Sequence, residues 1–323
     1  MKVFTTLVAA LAMALSAPAA LAQDYPTGPI RMIVGYSAGG PTDVIARVIA
    51  QHMTTSLGQS VVVENKTGAA ALIATRDVVR AAPDGYTLLF TSLSLNVNPL
   101  LLGADAGYDP IKDLAPISLA ATLPLVAVTR YDSPIMSIKE LVAKAKAKPE
   151  AVSYGSSGNG GSAHLAAAMM GIMADVKMLH VPFRGNAPAL QAVLASNVDF
   201  MFYPSIGISG HVADKKLKVL AVGTAKPLPD FPGVPTMAES GFPGFELTAP
   251  WVGLLAPANT PSAAIDKLNK AFNDALKDPK IRQRLHELGA VIVGDSPTEF
   301  HDYLVEDRKR WAHVIEAAGI QKK

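Results

Sequence analysis

Ile30-Arg31-Met32-Ile33-Val34 runs straight into Gly35-Tyr36-Ser37-Ala38-Gly39-Gly40-Pro41-Thr42-Asp43, and a stretch of helical period follows from Val44 to Ser56. The short apolar run reads as a strand buried on both faces. Two adjacent glycines make a tight turn whose bare backbone lets another group come close. The helix start behind them offers unpaired N–H groups and the positive end of a dipole, a setting that suits a carboxylate or phosphate. Strand, glycine turn and helix together form the unit of an α/β fold.

The same alternation continues outward. Val61-Val62-Val63 is a strand, Ala69 to Ala81 a helix, and Tyr86 to Phe90 a strand after the turn Pro83-Asp84-Gly85. Leu125 to Thr129 opens a second series, and Ser137 to Glu140 is a capping box. Strand Val152 to Tyr154, helix Ser162 to Met173, strand Met178 to Val181, helix Ala187 to Leu194 and strands near Phe200 and Val219 complete it. Pro and Gly concentrate from Pro227 to Pro261, which reads as a connector and not as a core element. Beyond it, Thr260-Pro261 caps a helix to Leu276, and Asp278-Pro279 starts another that ends at Gly289. A second capping box, Ser296 to Glu299, opens a helix with Phe300, Tyr303, Leu304, Trp311, Val314 and Ile315 on one core-facing side. Two α/β units joined by a breaker-rich segment predict two lobes around a cleft, with ligand contacts on the loops that follow the strands.

Composition narrows the function. The 323 residues are 50% hydrophobic and 17% charged, which excludes disordered, collagenous and coiled-coil classes. Lys+Arg 29 against Asp+Glu 27 leaves a charge of +2 with no basic block outside the extreme termini, so no nucleic-acid footprint is expected. Cysteine is absent, which removes thiol catalysis, thiolate metal sites and disulfides. Mean hydropathy is high at +0.26, and part of the excess lies at the front. Met1-Lys2, the apolar Val3 to Ala19 and the small-x-small Ala20-Leu21-Ala22 make residues 1–22 a secretory signal peptide, cleaved after Ala22. No later stretch approaches the roughly 20 apolar residues a membrane span needs, so a soluble, exported chain is expected.

Three functional readings compete at the first turn. Gly35-Tyr36-Ser37-Ala38-Gly39 matches G-x-S-x-G, the nucleophile elbow of a secreted serine esterase, but too little chain precedes it to build an oxyanion hole. A dinucleotide site would need G-x-G-x-x-G, and Gly35, Gly39 and Gly40 do not form it. Anion capture by backbone amides gains from a second loop, Gly155-Ser156-Ser157-Gly158-Asn159-Gly160-Gly161-Ser162-Ala163-His164, which again lies between strand and helix, with Ser162 as the expected N-cap. Two such helix starts facing each other would grip the two ends of a dicarboxylate. Thr91-Ser92-Leu93-Ser94, Arg184-Gly185-Asn186 and Tyr203-Pro204-Ser205 also follow strands, and Arg184 has the fork that pairs with a carboxylate. Asp43 and Asp199 are expected to fix their own lobe's backbone. The histidines form neither H-x-x-x-H nor H-E-x-x-H, so no metal and no cofactor is expected.

These residues resemble a known family. Tyr25-Pro26 with Pro29-Ile30-Arg31, Gly39-Gly40-Pro41-Thr42-Asp43, and Leu57-Gly58-Gln59 with Val61-Val62-Val63-Glu64-Asn65 form one matching block. Pro83-Asp84-Gly85-Tyr86-Thr87-Leu88-Leu89, Ser157-Gly158-Asn159-Gly160 to His164-Leu165, His180-Val181-Pro182-Phe183-Arg184-Gly185 and Pro235-Thr236-Met237-Ala238-Glu239 to Gly241 continue it. The chain is similar in this order to the extracytoplasmic solute-binding proteins of tripartite tricarboxylate transporters, the Bug family. The resemblance implies a periplasmic-binding-protein-like α/β fold of two lobes with mostly parallel sheets. It places 24–123 with 246–323 in lobe 1 and 124–245 in lobe 2. It further implies a monomer that closes on a small carboxylate, such as a di- or tricarboxylate or an aromatic acid, and hands it to a membrane permease, or else reports it to a sensor kinase. Ligand contacts then fall on Tyr36, Ser37, Ala38, Gly39, Gly40, Thr42 and Asp43, with Thr91 and Ser92, in lobe 1. In lobe 2 they fall on Ser156, Ser157, Gly158, Asn159, Ser162, Ala163, His164, Arg184 and Tyr203. Many members carry Phe and prolines where Tyr36-Ser37-Ala38 stands, and Asp where Tyr203 stands; the extra tyrosine pair points to a flat aromatic acid.

Overall fold

A computed structural model describes residues 25–205, 208–287, 289–317 and 319–320; the expected signal peptide lies outside them. The first unit contains β1 (Ile30–Val34), α1 (Pro41–Leu57), β2 (Val61–Asn65), α2 (Leu72–Val79), β3 (Thr87–Ser92), α3 (Ser94–Leu102) and β4 (Leu114–Thr122). The second contains β5 (Leu125–Arg130), α4 (Ile138–Ala147), β6 (Ser153–Ser156), α5 (Ser162–Ala174), β7 (Leu179–Pro182), α6 (Asn186–Leu194), β8 (Phe200–Pro204), α7 (Ser209–Ala213) and β9 (Leu217–Val222). The chain then returns through β10 (Trp251–Pro257), α8 (Ser262–Lys277), α9 (Pro279–Glu287), β11 (Val291–Ile292) and α10 (Pro297–Ala317).

Two sheets result, ordered β11-β4-β10-β3-β1-β2 and β7-β6-β8-β5-β9, so the α/β, two-lobed expectation holds. In each sheet three strands run parallel, β2-β1-β3 in one and β7-β6-β8 in the other. The sheets are nevertheless mixed. β10 lies antiparallel to β3 and β4, and β5 lies antiparallel to β8 and β9, because these are the strands that enter from the other lobe.

Strand alternation explains the burial. In lobe 1, Met32, Val34, Leu88 and Phe90 face Ile45, Ile49 and Met53 of α1 and Leu268 and Phe272 of α8. Ile33 and Leu89 point to the other layer, with Leu95 and Val97 of α3 and Phe300, Leu304 and Trp311 of α10. Both sheet faces are thus covered, which is why these strands read as unbroken apolar runs.

Some expectations change. The segment 227–261 is not all connector. Trp251–Pro257 is a fully buried strand at the middle of the lobe 1 sheet, and the breakers beside it mark its ends. The helix expected from Ala69 spans only Leu72–Val79, since Ala69, Ala70 and Ala71 hold φ of 46°, 52° and 65°. α3 and β4, which carried no clear period, fill the stretch before the crossing. Thr260 donates to the Pro257 carbonyl at 2.8 Å instead of capping α8. Of the two expected capping boxes, Ser296–Glu299 closes in both directions, with Ser296 N donating to Glu299 Oε2 at 2.8 Å. At Ser137–Glu140 the Glu140 carboxylate accepts from Met136 N at 2.7 Å instead of from Ser137 N. Glu140 and Glu299 donate their N–H groups to Ser137 Oγ and Ser296 Oγ, each at 3.2 Å.

The two crossing segments touch. Leu123 donates its N–H to the Pro250 carbonyl at 2.7 Å, so the outgoing and returning strands are tied where the lobes join. Next to this point the carboxylate of Asp307 is 2% exposed and accepts from Trp251 Nε1 at 3.0 Å, Asn96 Nδ2 at 2.9 Å and Trp311 Nε1 at 3.0 Å. Burial pushes its pKa up. One buried group therefore joins the start of β10, α3 and α10. Replacing Asp307 with Leu should strand three buried donors and cost about 3–5 kcal/mol of unfolding free energy. Urea midpoints would measure it, with stability falling in the order wild type, the milder Asp307→Asn, then Asp307→Leu.

Candidate functional site

Each lobe carries the same turn at the cleft end of its sheet. In lobe 1, Gly40 donates its N–H to the Ser37 carbonyl at 3.1 Å, and Gly39 donates to Asp43 Oδ2 at 2.8 Å. In lobe 2, Gly161 donates to the Gly158 carbonyl at 3.1 Å, and Gly160 donates to His164 Nδ1 at 3.1 Å. Gly39 and Gly160 both sit at φ +75°, a region L side chains rarely adopt. The next residue is extended in both, with φ −75° and ψ 166° at Gly40 and φ −69° and ψ 157° at Gly161. Both are helix N-caps without a side-chain cap, so Ser162 is the first helical residue and not the cap, and Thr42 and Asp43 lie inside the first turn of α1.

The geometry divides the amides of each turn into two sets. Those of Gly39, Gly40, Gly160 and Gly161 are spent inside the turn. Those of Ser37, Ala38, Thr42 and Asp43, and of Ser157, Asn159, Ser162 and Ala163, have no partner within the described residues, and helix starts of this kind favour negative charge. Pro41 removes one N–H that would otherwise need an acceptor.

The acceptors behind the turns are held firmly. Asp43 also takes Arg47 Nε at 2.9 Å and Asn65 Nδ2 at 2.8 Å, and Asn65 further donates to the Tyr36 carbonyl at 2.9 Å. Desolvation works to raise the Asp43 pKa, but the bonds from Arg47, Gly39 and Asn65 outweigh it and hold the carboxyl below its usual range. His164 stacks on His180 with ring centroids 4.0 Å apart, and Tyr154 stacks on His180 at 5.0 Å. Burial drives His164 down to about 4, and burial plus the neighbouring His164 does the same to His180. A neutral His164 that accepts at Nδ1 carries its proton on Nε2.

The loops meet across the cleft. A Cβ built on Gly185 would lie 3.5 Å from Ser37 Oγ, so the Arg184-Gly185-Asn186 turn of lobe 2 faces the first turn of lobe 1. On lobe 2 that turn lies beside the glycine loop, since Phe183 donates to the Ser156 carbonyl at 2.9 Å. Ser37, Ala38, Gly39, Asn159 and Arg184 are exposed, while Ser157 and Gly158 are half-buried. Thr91 Oγ1 and Asn186 Oδ1 are buried with no hydrogen-bond partner, polar atoms left over at this end of the molecule. Ser92 is buried at the end of β3, and Ser94 Oγ meets Tyr36 OH at 2.5 Å.

Other expected residues sit elsewhere. Tyr203 is 8% exposed within the lobe 2 cluster of Val126, Met201 and Val222, and no Tyr36–Tyr203 ring pair forms among the described residues. Asp199 accepts from Ser153 N at 2.8 Å and Lys144 Nζ at 2.7 Å at the start of β6, the end remote from the cleft. The sequence reading missed Asn65 and the left-handed turn Ala69–Ala71. A Cβ on Gly35 would lie 2.3 Å from Ala71 Cβ, so that turn packs directly on the first one.

The esterase geometry is missing from the described residues. Ser37 bonds to no histidine, and φ at Ser37 is not positive, as a nucleophile elbow requires. Ser156 Oγ does lie 2.6 Å from His180 Nε2. That serine is fully buried, and a base driven to about 4 takes no proton at neutral pH. Among the described residues no group of three His, Asp or Glu side chains is placed to hold a metal.

Comparison with known proteins matches this architecture. Residues 45–320 match the family described as "Tripartite tricarboxylate transporter family receptor", and the chain belongs to that family of solute-binding receptors. Among curated relatives, a UPF0065 protein in the tcbD-tcbE intergenic region of Pseudomonas sp. strain P51 is 36% identical, covering 95% of this chain and 91% of its own. Protein BugT of Bordetella pertussis is 34% identical, covering 94% and 93%. Among solved structures, the periplasmic binding protein BugD superposes with a TM-score of 0.86 at 36% identity, covering 93% of this chain and all of its own. An R. palustris protein with adipate gives 0.87 at 31% (92% and 99% covered), and MatC from Rhodopseudomonas palustris with bound malate gives 0.84 at 31% (90% and 100%).

The histidine pair makes a pH prediction. Both folded-state pKa values lie near 4 against an ordinary 6.5, so the unfolded chain binds protons that the folded chain refuses. The stability contributed by the neutral pair is complete above about pH 6.5 and falls as the pH drops toward 4. Urea midpoints should decline over that window, and His164→Gln, which keeps an acceptor for Gly160, should make the decline shallower.

Proposed function

We propose that the protein is a periplasmic receptor that takes a small aliphatic carboxylate between its lobes, without altering it, and passes it to the membrane permease of a tripartite tricarboxylate transporter. The observation that carries this reading is the repeated turn. Two helix starts, one per lobe, keep their front amides unpaired while side chains lock the amides behind them. A carboxylate has the lone pairs to satisfy both sets at once, and hydrogen bonds to an ionised acceptor are the stronger kind. Lobe 1 is taken as residues 24–123 with 246–323 and lobe 2 as 124–245, working as a monomer after removal of residues 1–22. No described helix is long and apolar enough to cross a membrane, in keeping with a receptor that works beside its permease.

An aliphatic acid is favoured over an aromatic one for two reasons. Tyr203 packs into its own lobe's cluster and the Tyr36 hydroxyl is engaged by Ser94, so the two tyrosines do not form a facing pair for a flat acid. The neighbours with adipate and malate carry flexible dicarboxylates. Arg184, exposed in the loop that faces Ser37, would pair with the far carboxylate.

A thermal-shift panel of malate, adipate, citrate and benzoate tests this. At about a hundredfold excess over Kd a ligand adds roughly 2.7 kcal/mol to the folded state, a rise of several degrees. The aliphatic acids should raise the melting point and benzoate should not; a response to benzoate alone would overturn the ligand class. Gly40→Val adds bulk where even a Cβ would stand 3.1 Å from the Ser37 carbonyl. It should weaken the responding acid at least tenfold, and affinity within a factor of two of wild type would rule out the backbone cradle.

A further inference from the structure

We propose that Leu165 is a positioning residue, a latch by which lobe 2's glycine turn is seated against lobe 1 and the cleft is biased toward closure. The inference rests on the reading of the cleft as the carboxylate site. Leu165 comes one residue after His164 in α5, a helix of lobe 2. Most of that helix packs at home, with Ala163, Ala166, Ala167 and Met170 in the cluster of Phe200 and Phe202. Leu165 does not. It is fully buried in the lobe 1 cluster that contains Leu95, Val97, Leu101, Trp251, Leu304 and Trp311, and α5 rests on α10.

The turn itself makes the same crossing. A Cβ built on Gly160 would lie 2.7 Å from Leu101 Cδ1 and 2.9 Å from Val97 Cγ1, so lobe 1's α3 presses on the residue whose N–H His164 holds. Gly160 and Leu165 thus bracket the unpaired amides of Ser162 and Ala163, and both ends of the bracket are seated on lobe 1. Opening the cleft pulls Leu165 out of that cluster and wets Val97 and Leu101 with it. Closing buries all three and presents the lobe 2 amides in the same movement. Apolar burial on the lobe-to-lobe contact supplies part of the closing free energy before any ligand arrives, and the apparent affinity scales with the fraction already closed.

The test compares wild type with Leu165→Asn, Leu165→Met and, from the lobe 1 side, Leu101→Ala. Small-angle scattering of each acid-free protein reads the closed fraction as a radius of gyration, and calorimetric titration with malate and with adipate reads affinity. Leu165→Asn and Leu101→Ala are expected to raise the radius of gyration and weaken whichever acid binds about tenfold or more, while Leu165→Met stays near wild type. An unchanged radius of gyration and unchanged affinity, with only a lower melting point, would reduce Leu165 to a core filler and end the proposal. Leu101→Ala reads the same contact should Leu165→Asn fail to fold. If neither acid binds wild type, the ligand reading fails on its own, and the acid-free scattering still decides for or against the latch.

Discussion

A backbone N–H at a helix start has no carbonyl four residues back to receive it, and it must find an acceptor outside the helix. The cleft is organised around that shortage. In each lobe the glycine two positions before the helix turns its own N–H rearward to a side chain four residues on, Asp43 or His164. With the rear satisfied from within, the turn is rigid, and the remaining amides face forward already oriented. The rest of each lobe supports those two acceptors. Arg47 and Asn65 pin Asp43, and the stack of Tyr154, His180 and His164 pins the histidine.

The two turns share geometry but not charge. Behind the lobe 1 turn stands a carboxylate, its charge offset by Arg47 at 2.9 Å. Behind the lobe 2 turn stands a neutral imidazole, and its neutrality is a requirement, because a protonated ring has no lone pair to offer Gly160. Burial enforces this by driving the ring to about 4. In the proposed receptor the lobe 2 turn would meet an anion with its helix dipole and amides undiminished by a negative charge behind them, while the lobe 1 turn would rely on an internal ion pair to the same end.

Much of this was legible in the chain, and the limits have physical causes. Strand–glycine–helix units were readable because buried parallel strands are continuous apolar runs and glycine pairs punctuate them. β10 was hidden because a seven-residue central strand flanked by Pro250 and Pro257 shares its composition with the connectors around it. The left-handed turn at Ala69–Ala71 left no trace, since alanine, unlike glycine or asparagine, gives no signal for positive φ; it is held instead by packing against Gly35 and by Asn98 donating to the Ala70 carbonyl at 3.0 Å. The expectation that Asp43 fixes its own lobe's backbone followed from residue type, and it does bond the Gly39 N–H. The packing of Tyr203 into its lobe's cluster was not readable because the register of β8 depends on a pairing with β5 that lies far away in sequence. The match between the two turns was equally invisible, because Asp and His are not interchangeable by composition and become equivalent only as acceptors at the same distance from a glycine.

A cradle of this kind also explains how one fold serves several acids. Main-chain donors fix where a carboxylate group sits but read nothing of the rest of the molecule, so selectivity falls to what lines the space between the turns and to how far the lobes close. The same architecture holds the shorter malate in one structural neighbour and the longer adipate in another. Here the loops at the cleft end carry Thr91 and Asn186, each with a buried polar atom lacking a partner among the described residues, and the exposed Arg184 on the loop that faces Ser37. An unpaired buried group costs stability until something meets it, about 1–3 kcal/mol for a neutral one. On the proposed reading, polar atoms left unmatched inside an otherwise well-paired protein would serve as differential contacts held in reserve. In the proposed receptor they would be satisfied only when a guest of the right length and polarity is enclosed, which is the condition for a ligand to shift the balance between open and closed lobes.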